Sequence, residues 1–242
     1  MRRVFDHVTL RVPDLAAAER RFQSLLDQLA LDETHSTRAL AVWGDFGLAQ
    51  AEADRPATRR AHIGFVARSR EAVDAFWAAG LQDGLAGEPP DARPAHGADA
   101  YGATVHDEHD NAFEALHRGA GPHGGNVAHV RLRVADIAAA TAFYRVVAEA
   151  TGLELQAERE RATVGGRMSL AAGAATEHLH LAFPGDEDAV RAFFAAAVAA
   201  GHRPNGEPGE RARQNPGYYA AYVLDPDGNN VEVVDHHEGS GA

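Results

Sequence analysis

Hydrophobic and polar residues alternate with a period of two in several short stretches of this chain. In His7-Val8-Thr9-Leu10-Arg11-Val12, Val8, Leu10 and Val12 share one face and His7, Thr9 and Arg11 the other, the pattern of a half-buried strand. Asp14 follows as an N-cap ahead of the helix-prone run Leu15 to Phe22. Short strand-like pieces such as Ala39 to Trp43 come next. His62 to Val66 then opens another strand, Arg70 to Ala79 another helix, and further strands end at Asn111 to Leu116. The same order returns at His129 to Val134 with Ile137 to Ala150, and at His178 to Phe183 with Asp188 to Ala200. The pattern predicts a unit of strand, helix and roughly three strands, used four times. The fold class it implies is α+β, with four βαβββ modules.

The modules fall into two homologous halves. Phe5-Asp6-His7-Val8 to Ala18 matches Val127-Ala128-His129-Val130 to Ala140 at an offset of 122. His62 to Phe65 matches His180 to Phe183, Tyr101 to Asp107 matches Tyr219 to Asp225, and Asn111 to Glu114 matches Asn229 to Glu232, all at 118. Self-similarity at a fixed offset marks a tandem duplication. The Gly/Pro-rich stretch Arg118 to Asn126 reads as the linker, so the halves are expected at 1–119 and 120–242.

Each half carries His, His and Glu at matching intervals. His7, His62 and Glu114 are separated by 55 and 52 residues; His129, His180 and Glu232 by 51 and 52. Strand alternation puts every one of the six on the face opposite the apolar one. Two imidazoles and a carboxylate form a facial set that holds a divalent ion and leaves positions open for substrate. The same face is expected to carry Arg131 and Arg133 as partners for an anionic substrate and His178 as a further titratable group; Tyr222 and Tyr219 are read as substrate-facing phenols or, equally, as ordinary strand aromatics. The blander expectation for the arginines is a solvated or ion-paired surface. His35, His96, His109, His123, His202, His236 and His237 read as loop or surface residues, the pair His236-His237 being a weaker metal candidate. Phe76-Trp77 and Phe193-Phe194 read as helix core.

Composition narrows the function classes. The 242 residues carry a formal net charge of −12, which argues against nucleic acid and acidic membrane surfaces as partners. All 23 basic residues are arginine, which, with abundant Ala and Gly, points to codon bias in a GC-rich bacterial genome. Cysteine is absent, so a metal site must use nitrogen and oxygen ligands. No signal-like or membrane-spanning apolar run is seen, and a soluble cytoplasmic protein, monomeric as a pseudo-dimer or homodimeric, is the expectation.

The openings at His7 and His129, with the ending Gly217 to Glu232 and its Asp225-Pro226-Asp227-Gly228 turn, resemble the vicinal oxygen chelate superfamily. That superfamily includes glyoxalases, extradiol dioxygenases, fosfomycin-modifying thiol transferases and bleomycin-resistance proteins, and the resemblance covers essentially the whole chain. It implies paired modules forming two incomplete-barrel metal cups, with His7, His62, Glu114, His129, His180 and Glu232 as ligands. The ion would be Fe, Mn, Zn, Ni or Co. Tyr222 lies ten residues before Glu232, where the dioxygenases tend to carry an assisting Tyr; its counterpart in the first half is Thr104. The resemblance implies a metal-dependent enzyme acting on a small oxygenated substrate; the alternative is a metal-free protein that sequesters a ligand. Superfamily members pair modules either within halves or between them. The near-equal halves favour exchange, which would give His7/His180/Glu232 and His129/His62/Glu114. The first half lacks the Pro-Asp-Gly turn and Tyr222, so the Glu232 cup is expected to be the better site.

Overall fold

The computed structural model describes residues 3–119, 125–211 and 217–236. Part of the linker (120–124), His123 and His237 lie outside them. The described strands are β1 (His7–Val12), β2 (His35–Ser36), β3 (Leu40–Trp43), β4 (Phe46–Gln50), β5 (His62–Val66), β6 (Ala86–Ala92), β7 (Tyr101–His106) and β8 (Ala112–His117) in the first half. The second half carries β9 (Val127–Val134), β10 (Leu155–Ala157), β11 (Arg161–Val164), β12 (Met168–Ala172), β13 (His180–Pro184), β14 (Pro204–Glu210), β15 (Tyr218–Leu224) and β16 (Asn230–His236). Four helices follow the opening strands: α1 (Leu15–Asp27), α2 (Arg70–Gln82), α3 (Ile137–Thr151) and α4 (Glu187–Ala199). This is the predicted strand, helix, three-strand unit, four times over.

Two eight-stranded sheets result, and neither closes into a barrel. Their orders are β14-β15-β16-β13-β1-β4-β3-β2 and β10-β11-β12-β9-β5-β8-β7-β6. The first module thus shares a sheet with the fourth, and the second with the third, the exchanged arrangement. The chain separates into two compact units, one holding Thr9–Arg131 and the other Arg3–Val8 with residues 132 onward. Strands β1 and β9 each contribute to both.

Local chemistry explains the elements. Asp14, Ser69, Asp136 and Asp186 each accept a hydrogen bond from a first-turn amide of the helix they precede, satisfying donors that a helix start leaves bare. Val8, Leu10 and Val12 are buried in β1 while His7, Thr9 and Arg11 are not fully so. In the first unit Phe22 packs edge-on to Phe113 and Phe46 edge-on to Phe65, at ring separations of 4.8 and 4.9 Å; in the second Phe143 meets Tyr144 in the same way. Phe76 and Phe193 are core, whereas Trp77 and Phe194 are only partly buried. No helix among the described residues is long and apolar enough to cross a membrane.

Two expectations need correction. The strand predicted from His178 starts at His180, because His178 takes a left-handed backbone with φ +62°; alternation therefore does not carry its side chain onto the face of His180. Its repeat counterpart Arg60 has φ +57°, so the kink belongs to the module. The missing Pro-Asp-Gly turn, in turn, does not leave the first half less well shaped. Asp107 Oδ1 accepts from the amides of His109 and Asn111, and Asn111 Nδ2 donates to Asp107 Oδ2 and Thr58 O. Asp225 and Asn229 make the same framework with Asp227 and Thr176. Asp110 supplies the left-handed residue at φ +60° where the second half uses Gly228 at +88°, a conformation Asp tolerates.

Candidate metal centre

The alternating strands deliver two His-His-Glu groups, each inside one compact unit. In the second unit, β1 contributes His7, β13 His180 and β16 Glu232; in the first, β5 contributes His62, β8 Glu114 and β9 His129. Parallel pairing of β13 with β16 sets Ala182 opposite Glu232, and that of β5 with β8 sets Gly64 opposite Glu114.

In the His7 group, His180 Nε2 lies 3.0 Å from His7 Nε2 and 3.0 Å from Glu232 Oε2, and His7 Nε2 lies 3.7 Å from that oxygen. An ion with bonds of 2.0–2.2 Å at near right angles needs donors about 3 Å apart. The outer nitrogens are also provided for. Asp6 Oδ1 accepts from His7 Nδ1 at 2.8 Å, which leaves the lone pair of His7 on Nε2. Two groups of Asn230 meet His180 Nδ1: the carbonyl at 3.1 Å, which holds that ring in the same tautomer, and the side-chain Nδ2 at 2.9 Å, which holds it in the other. Carboxylate or carbonyl partners of this kind orient metal-binding imidazoles and raise their basicity. With the His180 proton on Nδ1, three lone pairs converge, a donor set that fits a divalent cation; with it on Nε2, His180 donates to Glu232 Oε2 instead.

The carboxyl of Glu232 is almost fully buried. Burial raises its pKa, but hydrogen bonding and charge from His180, charge from His7 and the bond from Tyr218 outweigh that and hold it below the ordinary range. Tyr218 donates to Glu232 Oε1 at 2.7 Å. Tyr222 is the register partner of Glu232 and its ring lies 6.2 Å from that of His180. Burial, then the Glu232 charge, pushes both phenols well up, so both stand as protonated donors at neutral pH. Asp6 is bound on its other oxygen by His236 Nε2 at 2.9 Å.

The His62 group has the same three residues and a different surround. His62 Nε2 and His129 Nε2 each lie 3.2 Å from Glu114 Oε2. The remaining oxygen, Oε1, takes a bond from Arg93 Nε at 2.9 Å, and Arg131 Nη2 stands 3.8 Å from Oε2. Burial opposes ionisation of Glu114, but polar contact and charge from His129 and His62 keep its carboxyl far below the usual range. Burial dominates the imidazoles: it lowers His62 and takes His129 down to about 4. His129 Nε2 meets Glu114 as an ion-pair contact without hydrogen-bond geometry, and His129 Nδ1 is buried with no hydrogen-bond partner among the described residues. The repeat explains the bare Nδ1: residue 128 is Ala where the first opening has Asp6. Residue 100 is likewise Ala where the last hairpin has Tyr218, so no phenol stands in that place beside Glu114.

Arg93 itself is the repeat counterpart of Arg211. Arg211 does not reach the carboxylate; it donates to Glu207 O and Ala220 O and covers the Tyr222 ring at 5.2 Å. A Cβ on Gly102 would stand 3.0 Å from Glu114 Oε1 and 3.1 Å from Arg93 Cγ, and Ala220 has such a Cβ at the matching position. The small residues Ala100, Gly102 and Thr104 clear the path that Tyr218, Ala220 and Tyr222 close.

Not every expected residue joins a group. Arg131 does. Arg133 is exposed on β9, its guanidinium beside Gly173. Tyr219 is one residue out of phase: it is buried on the other face of β15, with Arg191 of α4 over its ring at 5.0 Å, and Tyr218 takes the place expected for it. His178 precedes β13 as described above. The sequence reading also passed over His96, which is not a plain surface residue. Its ring stacks on His129 at 4.7 Å, Arg118 and Arg131 both point at it, and burial lowers its pKa to about 4. The 118-residue offset to Arg211 was the available signal for Arg93; His96 had none.

Comparison with known proteins gives the family and the fold. Residues 126–233 match the family model of the Glyoxalase/Bleomycin resistance protein/Dioxygenase superfamily. A glyoxalase/bleomycin resistance protein from Albidiferax ferrireducens is 32% identical over 47% of this chain and 98% of its own, with a TM-score of 0.41. The chain belongs to this superfamily. A variant of glyoxalase I from Zea mays shares the fold, with a TM-score of 0.66 at 19% identity over 96% of this chain and 94% of its own. A variant of homoprotocatechuate 2,3-dioxygenase from Brevibacterium fuscum covers 96% of this chain and 71% of its own, at 16% identity and a TM-score of 0.41. A comparison with curated proteins finds no match. Within the superfamily fold, this chain carries two His/Glu groups that could hold a metal ion.

Proposed function

We propose that the protein is a divalent-metal-dependent enzyme of the glyoxalase/dioxygenase type, acting on a small substrate with adjacent oxygens at the His7–His180–Glu232 group. The observation that carries this reading is the tautomer set by Asp6: it turns the lone pair of His7 toward His180 Nε2 and Glu232 Oε2, an arrangement a cation stabilises. His7 Nε2, His180 Nε2 and Glu232 Oε2 would hold the ion, which supplies Lewis acidity and a template for vicinal oxygens. Tyr218 fixes the carboxylate through Oε1. Tyr222, kept protonated, offers an O–H to a substrate oxygen and is the side chain placed to hold or return a proton there. We read the halves 1–119 and 120–242 as a tandem duplication of one ancestral unit, which the offsets of 122 and 118 support.

The test is a screen of diols, α-hydroxy ketones and catechols with protein loaded with Fe(II), Mn(II), Zn(II), Ni(II) or Co(II), followed by product analysis. Metal-dependent turnover, lost in Glu232→Ala and lowered in Tyr222→Phe, is the expected result. A compound that binds tightly and is recovered unchanged, with equal affinity after metal removal, would replace this reading with ligand sequestration.

A further inference from the structure

The His62–Glu114–His129 group repeats the composition of the first, yet the charges around it have the opposite sign. Asp6 and Glu232 are the acidic groups paired with the His7 set. Around Glu114 stand Arg93 and Arg131 in ion pairs, with Arg118 linked through His96. Glu114 has one oxygen committed to a guanidinium, and no acidic residue stands where Asp6 would orient His129. A divalent cation placed here would face the guanidiniums that already neutralise the carboxylate.

The arginine donors outnumber the acceptors they reach. Arg93 Nη2 is a buried donor without a partner among the described residues. Arg118 Nη2 and Arg131 Nη2 approach the two different nitrogens of His96, Nδ1 and Nε2. A neutral imidazole has one lone pair and one N–H, and an imidazolium has no lone pair, so His96 can accept from one of these arginines and not from both. The donors in excess call for an oxygen acceptor carrying negative charge. Guanidinium forks match carboxylate and phosphate oxygens in geometry as well as charge, and the Arg131 side chain is 42% exposed and open to a ligand.

We propose that the His62–Glu114–His129 group is not a second metal centre but an oxyanion-binding site, in which Arg131, Arg118 and Arg93 take the carboxylate or phosphate group of a small ligand. This inference is independent of the proposed reaction. It fails when the chain binds two metal ions, whereas the proposed function fails when it binds none.

Two measurements test it on the full chain. Zn(II) titration of EDTA-treated protein, read by calorimetry and by elemental analysis after gel filtration, should give one ion per chain; His180→Ala should remove that ion and His62→Ala should leave it. Two ions in the wild type, or one ion surviving in His180→Ala, would overturn the proposal. Inorganic phosphate and, separately, acetate are then titrated into the EDTA-treated chain, where no metal can hold them. Arg131→Met should weaken binding of at least one of the two by about tenfold, as loss of a charge-assisted contact does, and Arg118→Met should weaken the same anion. Whichever anion shows the loss identifies the head group. Affinities unchanged in both variants, or no binding of either anion to the wild type, would overturn it.

Discussion

Asp6→Asn probes the His7 group without touching a residue expected to meet the ion. The substitution keeps the size and one acceptor oxygen, so the side chain can still accept from His7 Nδ1. It removes the charge, and it turns an N–H toward either His7 or His236 where both now meet carboxylate oxygens at 2.8 and 2.9 Å. The wild-type carboxyl is ionised at neutral pH: burial raises its pKa, and bonds and charge from His7 and His236 more than reverse this. Loss of such an outer partner costs about 10–100-fold in metal affinity, which corresponds to about 1.4–2.7 kcal/mol. Competition for Zn(II) against a chromophoric chelator at pH 7 measures it, with urea midpoints checking that the fold is kept. His236→Ala should cost less, since it meets the group at one remove, through Asp6 and through an edge contact with the Tyr218 ring at 5.0 Å. An Asp6→Asn protein that folds normally and binds zinc within twofold of the wild type would refute the claim that Asp6 sets the donor tautomer.

Three further outcomes follow from the packing. Tyr218→Phe removes a 2.7 Å bond to the buried carboxylate of Glu232 and should lower unfolding free energy in urea by about 1.5–3 kcal/mol, the range for hydrogen bonds to charged groups. Gly64→Ala places a Cβ against the ring of His129 and should destabilise the protein by about 1–3 kcal/mol through overpacking, seen as a lower melting temperature. With chelator present, stability should fall as pH is lowered from about 6.5 to 4: His129 and His96 sit near 4 when folded and near 6.5 when unfolded, so the unfolded chain binds more protons in this window and the slope favours it on acidification. For the buried His129 this is on the order of 2–3 kcal/mol, and His129→Gln should flatten the profile.

Much of this was legible in the chain. Period-two alternation fixed the faces of β1, β9, β13 and β16, and the two offsets aligned the six His and Glu residues, because strand phase is a local property of sequence. What failed was local structure that breaks the period. His178 leaves the strand through a left-handed backbone, and Tyr218 and Tyr219 exchange roles by a single residue of phase. The first-half hairpin keeps its shape without Pro and Gly, because Asp107 with Asn111 does there what Asp225 with Asn229 does in the second half. The real difference between the groups lies in side chains arriving from outside the ligand strands. Arg93 and His96 come from the segment between β6 and β7, and Asp6 precedes β1. Their reach depends on the room left by Ala100 and Gly102, which no periodicity announces.

The central claim is that His7, His180 and Glu232 hold a divalent ion, and the most direct measurement is metal content per chain in untagged protein by inductively coupled plasma mass spectrometry. The wild type and Glu114→Ala should retain metal after dialysis, and Glu232→Ala should lose it. A Glu232→Ala protein that keeps the wild-type metal content, at equal folded fraction, would contradict the account.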